Sequence, residues 1–420
     1  MSQVGRFLGS AAIYASTTAI SAVIPFAMLP VMTRHLSPDA YGLVTAFMLA
    51  ISILGALTGL SVHGAISIRY FQKDRYDLPR YVGSCLLILG VTSLTAAACV
   101  ALLHPLFEQY TGLRVGWMLA AVLASAAQFV VQIQLTLWQS AGQPLRFGML
   151  RIFQTLTDAL VTLGLVVVLG WAWEGRLTGI VLGLGLTAIV AIVLMLQQRQ
   201  VIFSGAKLYV GDALSYGMPL VAHALGGLLI TAGDKIIVGS MLSIADLGQY
   251  AVASQVAMII AVLFDAVFKA FHPWVIENSL QPERHLQVVR ATYKLLVATT
   301  LAGVAFYAVA MAGFELFVGS HYSAGRDLLL PLTIAAMLRC FYFSTAIFIN
   351  IAGKNKYLAA NSLISGALGV AAAAALTPLL GLKGAAYGVV ISELFSFVLN
   401  LRCSIKVFPM PWMAAWKSGR

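Results

Sequence analysis

Twelve apolar runs, each of roughly 20 residues or more and separated by short polar turns, leave this chain few architectures to choose from. They lie near 9–33, 41–66, 82–103, 115–138, 152–171, 177–197, 217–241, 248–272, 292–318, 328–352, 358–380 and 385–405. In hydrocarbon every backbone N–H and C=O needs an internal partner, so runs of this length fold as helices. The expected fold class is an all-α polytopic membrane protein with about 12 transmembrane helices. Composition agrees, since 60% of the 420 residues are hydrophobic, 10% are charged and the mean hydropathy is +0.91. The apolar start of the chain is longer than a signal-peptide core and is followed by similar runs, which predicts a retained first helix.

The formal charge of +11 would suggest a nucleic-acid partner in a soluble protein. Here the cations sit in short loops, which points to topology and to anionic membrane lipids, not to nucleic acid. About eighteen Lys and Arg residues, among them Arg69, Arg80, Arg284 and Lys406, fall in loops on the side of the termini, against about five on the other side. Both termini are therefore expected in the cytoplasm, with the chain multi-pass in the membrane.

The longest loops, near 198–216 and 273–291, leave no room for an extramembrane domain. The sequence lacks a GxxxxGK[ST] phosphate loop and the HExxH and GxSxG motifs, so neither a nucleotide-driven pump nor an enzyme is expected. The four cysteines form no CxxC pair and no cluster with histidine, and neither a metal site nor a cofactor is expected.

Two external turns repeat. HLSPDAYGLV (35–44) opens the second span and MLSIADLGQY (241–250) opens the eighth, at nearly half the chain length. They share Leu-Ser, a nearby Asp, and a Gly read as letting the turn feed a helix. Halves at 1–200 and 210–420, each a six-helix bundle, would then be related by a pseudo-twofold along the membrane normal. The segment IPFAMLPVMTRHLSPDAYGLVTAF, its counterpart GDKIIVGSMLSIADLGQYAVA (233–253) and the turn GLKGAAYG (381–388) resemble the Wzx-type polysaccharide flippases. The wider superfamily includes the MATE exporters and the lipid II flippase MurJ. The resemblance implies two bundles that move an undecaprenyl-pyrophosphate-linked oligosaccharide across the bacterial inner membrane by alternating access. It also implies, as a further partner, a downstream polysaccharide polymerase. The alternative is a MATE-like cation-coupled exporter of small amphiphiles.

Ionisable groups within spans cost about 3 kcal/mol each on insertion scales, so each needs a partner, a wet cavity or a route to the interface. A pyrophosphate is drawn to cations. Arg339, Lys235, Lys269 and Arg34 are accordingly the substrate-binding candidates. The carboxylates Asp265, Glu393, Asp234 and Asp158 are the candidates for H+ or Na+ coupling. Bland readings stand beside these: Arg339 and Glu393 as a structural pair, and Asp265 with Lys269 neutralised locally at i,i+4. Asp234 and Lys235 are adjacent, so they are expected to face different neighbours. Gln128, Gln132, Gln255 and Asn361 offer amides for sugars, with interhelical hydrogen bonding as the alternative. Pro25 and Pro30 in the first span, and Gly226, Gly227 and Gly233 in the seventh, mark the helices expected to flex.

Overall fold

The computed structural model describes residues 3–72 and 74–413. The first half of the chain forms α1 (Gln3–His35), α2 (Pro38–Leu57), α3 (His63–Arg69), α4 (Leu78–Leu102), α5 (His104–Thr111), α6 (Val115–Ser140), α7 (Pro144–Leu163) and α8 (Ala172–Gln197). The second forms α9 (Val210–Met241), α10 (Ile244–Ser279), α11 (His285–Val318), α12 (Leu329–Ile351), α13 (Asn355–Leu380) and α14 (Leu382–Val407). Among the described residues eleven helices are long and apolar enough to cross a membrane, and Ala19–His35 within α1 is a shorter apolar stretch. The all-α, roughly twelve-span expectation is met.

The repeated turns are helix caps. Ser37 stays extended ahead of α2, with Pro38 following it, and its Oγ accepts the Ala40 N–H at 3.2 Å. Ser243 does the same for α10, accepting the Asp246 N–H at 3.0 Å while the Asp246 carboxylate accepts the Ser243 N–H at 3.2 Å. Each serine satisfies a backbone donor that the first helical turn leaves unpaired. The shared glycine, however, is not part of the turn: Gly42 and Gly248 lie inside α2 and α10, because the serine cap starts the helix several residues earlier.

The second span is broken, where an unbroken helix over 41–66 was expected. A 3-10 turn at Thr58–Ser61 separates α2 from α3, with left-handed φ at Gly59 (70°), Leu60 (47°) and Ser61 (55°). A Cβ on Gly59 would collide with the Phe129 ring, so the helix cannot continue there with an ordinary side chain. The freed backbone is satisfied from within the protein: the Gly59 N–H donates to Thr92 Oγ1 at 2.9 Å, and Thr58 Oγ1 donates to Ser125 Oγ at 3.2 Å. Irregular backbone at membrane depth persists only with such partners.

The chain divides into two compact units, Met1–Leu228 and Leu229–Arg420. This divide lies inside α9, later than the 200/210 boundary expected from the loops. The first turns of α9 adhere to the first unit, since Asp212 bonds Arg69, and Gly217 lets the Leu60 carbonyl approach where a Cβ would clash. In the first unit α6 packs on α2, α4 and α8, and α7 on α1 and α8. In the second α12 packs on α10, α11 and α14, and α13 on α14. The spans of α6 and α12 are correspondingly the most buried, at 67% and 56%.

In each unit the segment after the last helix of the half folds back on the third span. Ile202 N–H donates to the Pro79 carbonyl at 3.0 Å, Asp77 N–H donates to the Tyr209 hydroxyl at 3.2 Å, and Ser84 donates to the Ala206 carbonyl. In the second unit Phe408 stacks on Phe348, Met410 and Trp412 join a core with Val275, Val288 and Val289, and the Tyr293 hydroxyl donates to the Trp412 carbonyl at 3.2 Å. Helices α13 and α14 pack closely, where Gly384 and Gly388 admit backbone: a Cβ on Gly388 would lie 2.7 Å from Ala373 Cα. This is the small-x3-small device of membrane helices.

Candidate functional site

The charges of the second unit converge. Asp234 and Lys235 from α9, Arg339 from α12 and Glu393 from α14 line one cavity of about 70 Å³, together with Thr231 and Ser254. Arg339 grips Glu393 with Nε–Oε1 at 2.7 Å and Nη2–Oε1 at 2.6 Å. Glu393 is 5% exposed, and the guanidinium is the partner that compensates its burial. Lys235 Nζ lies 3.5 Å from Asp234 Oδ2, which also accepts the Tyr250 hydroxyl at 2.9 Å. Asp234 Oδ1 is buried and has no hydrogen-bond partner among the described residues. The expectation that Asp234 and Lys235 face different neighbours fails, because the four-carbon lysine stem carries its ammonium round the helix to the neighbouring carboxylate.

The remaining charged candidates lie elsewhere. Lys269 Nζ contacts Asp265 Oδ2 at 2.6 Å across one helical turn, and both side chains are about half exposed and outside the cavity. Asp158 is held by Arg176 at 2.6 Å, with Thr162 completing the group inside the first unit. Arg176 lies in the first turns of α8. Arg34 is exposed in the last turn of α1, in the first unit.

Two of the four amide candidates are bonded between helices. Gln154 Nε2 donates to Gln128 Oε1 at 3.1 Å, joining α7 to α6, and Asn361 Nδ2 lies 3.6 Å from Cys403 Sγ. Gln132 and Gln255 are half-buried in α6 and α10.

A polar cluster in the first unit lies outside the residues that the sequence singled out. Asp212 accepts from Arg69 Nε (3.1 Å) and Nη2 (3.0 Å), from Tyr76 (3.1 Å) and from Tyr81 (2.8 Å). The Arg69 guanidinium also lies 4.5 Å from the Tyr76 ring centroid, within cation–π range. Burial opposes the Arg69 charge, but the hydrogen bonds and charge of Asp212 outweigh it and hold the pKa above its ordinary value. The only cue was that Asp212 is the lone acid in a long basic connection.

Residues 7–279 match the model of the family described as "Polysaccharide biosynthesis protein". The chain belongs to the polysaccharide biosynthesis protein family. The resemblance to its Wzx-type flippases, read from the external turns, is thereby borne out. Relatives of this family member include two Haemophilus influenzae proteins. One, "Lsg locus putative protein 1", is 23% identical over 369 residues, covering 85% of this chain and 88% of its own. The other, named an uncharacterized membrane protein, is 22% identical over 362 residues, covering 82% and 85%. Among solved structures, the lipid II flippase MurJ in an inward closed conformation superposes with a TM-score of 0.75 at 13% identity, covering 96% of this chain and 89% of that one. An inward-facing MATE multidrug resistance transporter of the MOP superfamily gives 0.68 at 14% identity, covering 98% and 100%. These likenesses show that the polysaccharide biosynthesis protein has a MATE/MurJ-like fold.

Proposed function

We propose that this protein is a flippase that carries a polyprenyl-pyrophosphate-linked oligosaccharide from the cytoplasmic to the outer leaflet of a bacterial inner membrane, with both termini cytoplasmic. Its two six-helix halves alternate in access, and the product passes to a polysaccharide polymerase. Family membership and the MurJ-like fold support transport in place of catalysis. The observation that carries the reading is the cavity of the second unit, where two cations and two carboxylates are paired among apolar helices.

Its size divides the labour. A cavity of about 70 Å³ takes an ion and a few waters, not a sugar chain. The site therefore serves as the coupling centre, and its cations act on the substrate only by exchanging partners. Protonation of Glu393, or capture of a cation by Asp234 and Glu393, weakens their hold on Arg339 and Lys235. Those groups are then released toward the pyrophosphate. Coupling thus rests on Asp234 and Glu393 ahead of Asp265, whose exposed pair with Lys269 neutralises it locally. A MATE-like exporter of amphiphilic cations would leave an acid free of cationic partners, and both cavity acids have one.

The test is deletion of the gene with complementation by Arg339→Ala, Glu393→Gln and Asp234→Asn. The deletion should accumulate single lipid-linked repeat units accessible only from the cytoplasmic side. Reconstituted Glu393→Gln and Asp234→Asn should bind substrate but ignore an imposed proton or sodium gradient. If both respond to the gradient as the parent does, coupling through this cavity is wrong.

A further inference from the structure

A second, larger cavity lies in the first unit and shares none of the coupling residues. It opens where α6 ends, α7 begins and α8 ends, at the membrane face that carries the basic loops. The face of α7 bearing Arg146, Met149 and Phe153, spaced i, i+3 and i+7, forms one wall. Val190 and Leu194 of α8 form the other, and Trp138 near the end of α6 completes the lining. The volume is about 350 Å³, and no carboxylate lines it.

The groove is polar at one end and apolar below. Arg146 and Gln198 stand at the mouth, at the start of α7 and just past the end of α8. Arg146 Nη1 donates to Gln143 Oε1 at 3.1 Å, and no carboxylate pairs with this arginine among the described residues. From Arg146 to Phe153 the wall runs roughly 10 Å into the membrane at helical rise. Met149 and Phe153 remain 63% and 41% exposed along it. Trp138 is only 4% exposed, yet its indole N–H has no acceptor among the described residues. A buried indole N–H normally finds an acceptor, and an apolar wall offers none.

We propose that this groove is a binding site for an anionic phospholipid of the leaflet facing the basic loops. The headgroup phosphate pairs with Arg146. One acyl chain lies along Met149, Phe153, Val190 and Leu194, and an ester oxygen accepts the Trp138 N–H. A cation without a carboxylate at interfacial depth, above an apolar slot that descends into hydrocarbon, has the charge order of such a lipid. Zwitterionic lipid carries the same chains without net charge and is held less tightly.

The full-length protein in detergent micelles is titrated with phosphatidylglycerol brominated on its acyl chains, and tryptophan quenching is read. Saturable quenching is expected, reduced by the Trp138→Phe substitution and displaced by unlabelled phosphatidylglycerol but not by phosphatidylcholine. Arg146→Gln should raise the apparent Kd at least tenfold, and Arg146→Lys should recover much of the loss. Size-exclusion behaviour and thermal melting establish that each variant is folded, and a Val190→Ile variant, which narrows the slot conservatively, gives a second measure of chain binding. Equal affinity of Arg146→Gln and the parent overturns the proposal. So does equal competition by phosphatidylcholine, which means annular lipid only. Stronger displacement by polyprenyl phosphate also overturns it and assigns the groove to the tail of the transported lipid.

Discussion

Arg69 and Asp212, 143 residues apart in sequence, meet in a two-bonded ion pair that clasps the start of α9 to the end of α3. Two tyrosine hydroxyls complete the shell of the carboxylate, so Asp212 accepts four bonds. No other acid among the described residues is held by so many partners from distant segments. The contact is formed within one unit, by the connection that leads into the next.

Asp212→Asn should lower the melting temperature of the purified protein, with a cost of about 1–3 kcal/mol for a half-shielded charged network. Tyr81→Phe should cost about 1 kcal/mol, since a single hydroxyl donor is removed. The raised Arg69 pKa adds stability that is fully present below the ordinary arginine value and is lost only as pH rises through the folded value. Melting curves should therefore show no loss from this group across the physiological range. An Asp212→Asn protein that melts with the parent would reduce the cluster to decoration.

Arg339→Ala should destabilise the second unit more than Arg339→Met paired with Glu393→Leu. The single change strands a carboxylate that is 5% exposed, at about 3–5 kcal/mol. The double change removes both charges and should recover much of the fold without recovering transport. Melting temperature and glycan export, measured on the same variants, separate the two roles.

Ser37→Ala and Ser243→Ala should each cost about 1 kcal/mol through loss of the helix cap. The loss should be larger at Ser243, whose hydroxyl also donates to the Asp246 carboxylate at 2.7 Å and so gives up two bonds on truncation. Thermal melts of the two variants, compared with Ser37→Asp and Ser243→Asp, check this, because aspartate caps a helix as serine does.

Gly388→Val should separate α13 from α14, because even a Cβ at this position approaches the Ala373 backbone to 2.7 Å. The expected cost is about 1–3 kcal/mol from overpacking. A crosslinking pair placed across these helices should form faster in the parent than in the variant.

The spans were legible because hydrocarbon thickness sets their length, and the caps because a serine ahead of an apolar run has a local mechanism. Arg339 and Glu393 stood out as rare charges deep in apolar helices. Their pairing could not be decided from spacing, because α12 and α14 meet only through tertiary packing. The break at Thr58–Ser61 was hidden for a related reason: its partners, Thr92 and Ser125, lie on other spans. Asp212 gave no periodic signal because it sits in the first turn of α9, ahead of the apolar run, and its partners come from α3, α4 and the segment between them.

The ion pairs also differ in when they can form as the chain enters the bilayer. Asp234 with Lys235, and Asp265 with Lys269, each belong to a single helix, so those helices enter lipid with their charges already cancelled. Asp158 must wait only for Arg176 on the next helix, which completes a hairpin. Arg339 is different: its carboxylate is 54 residues downstream, beyond all of α13. During synthesis α12 therefore stays at the translocon or the interface with an unmatched cation until α14 emerges. Truncation before Glu393 should leave α12 incompletely inserted, which makes α14 a requirement for seating α12.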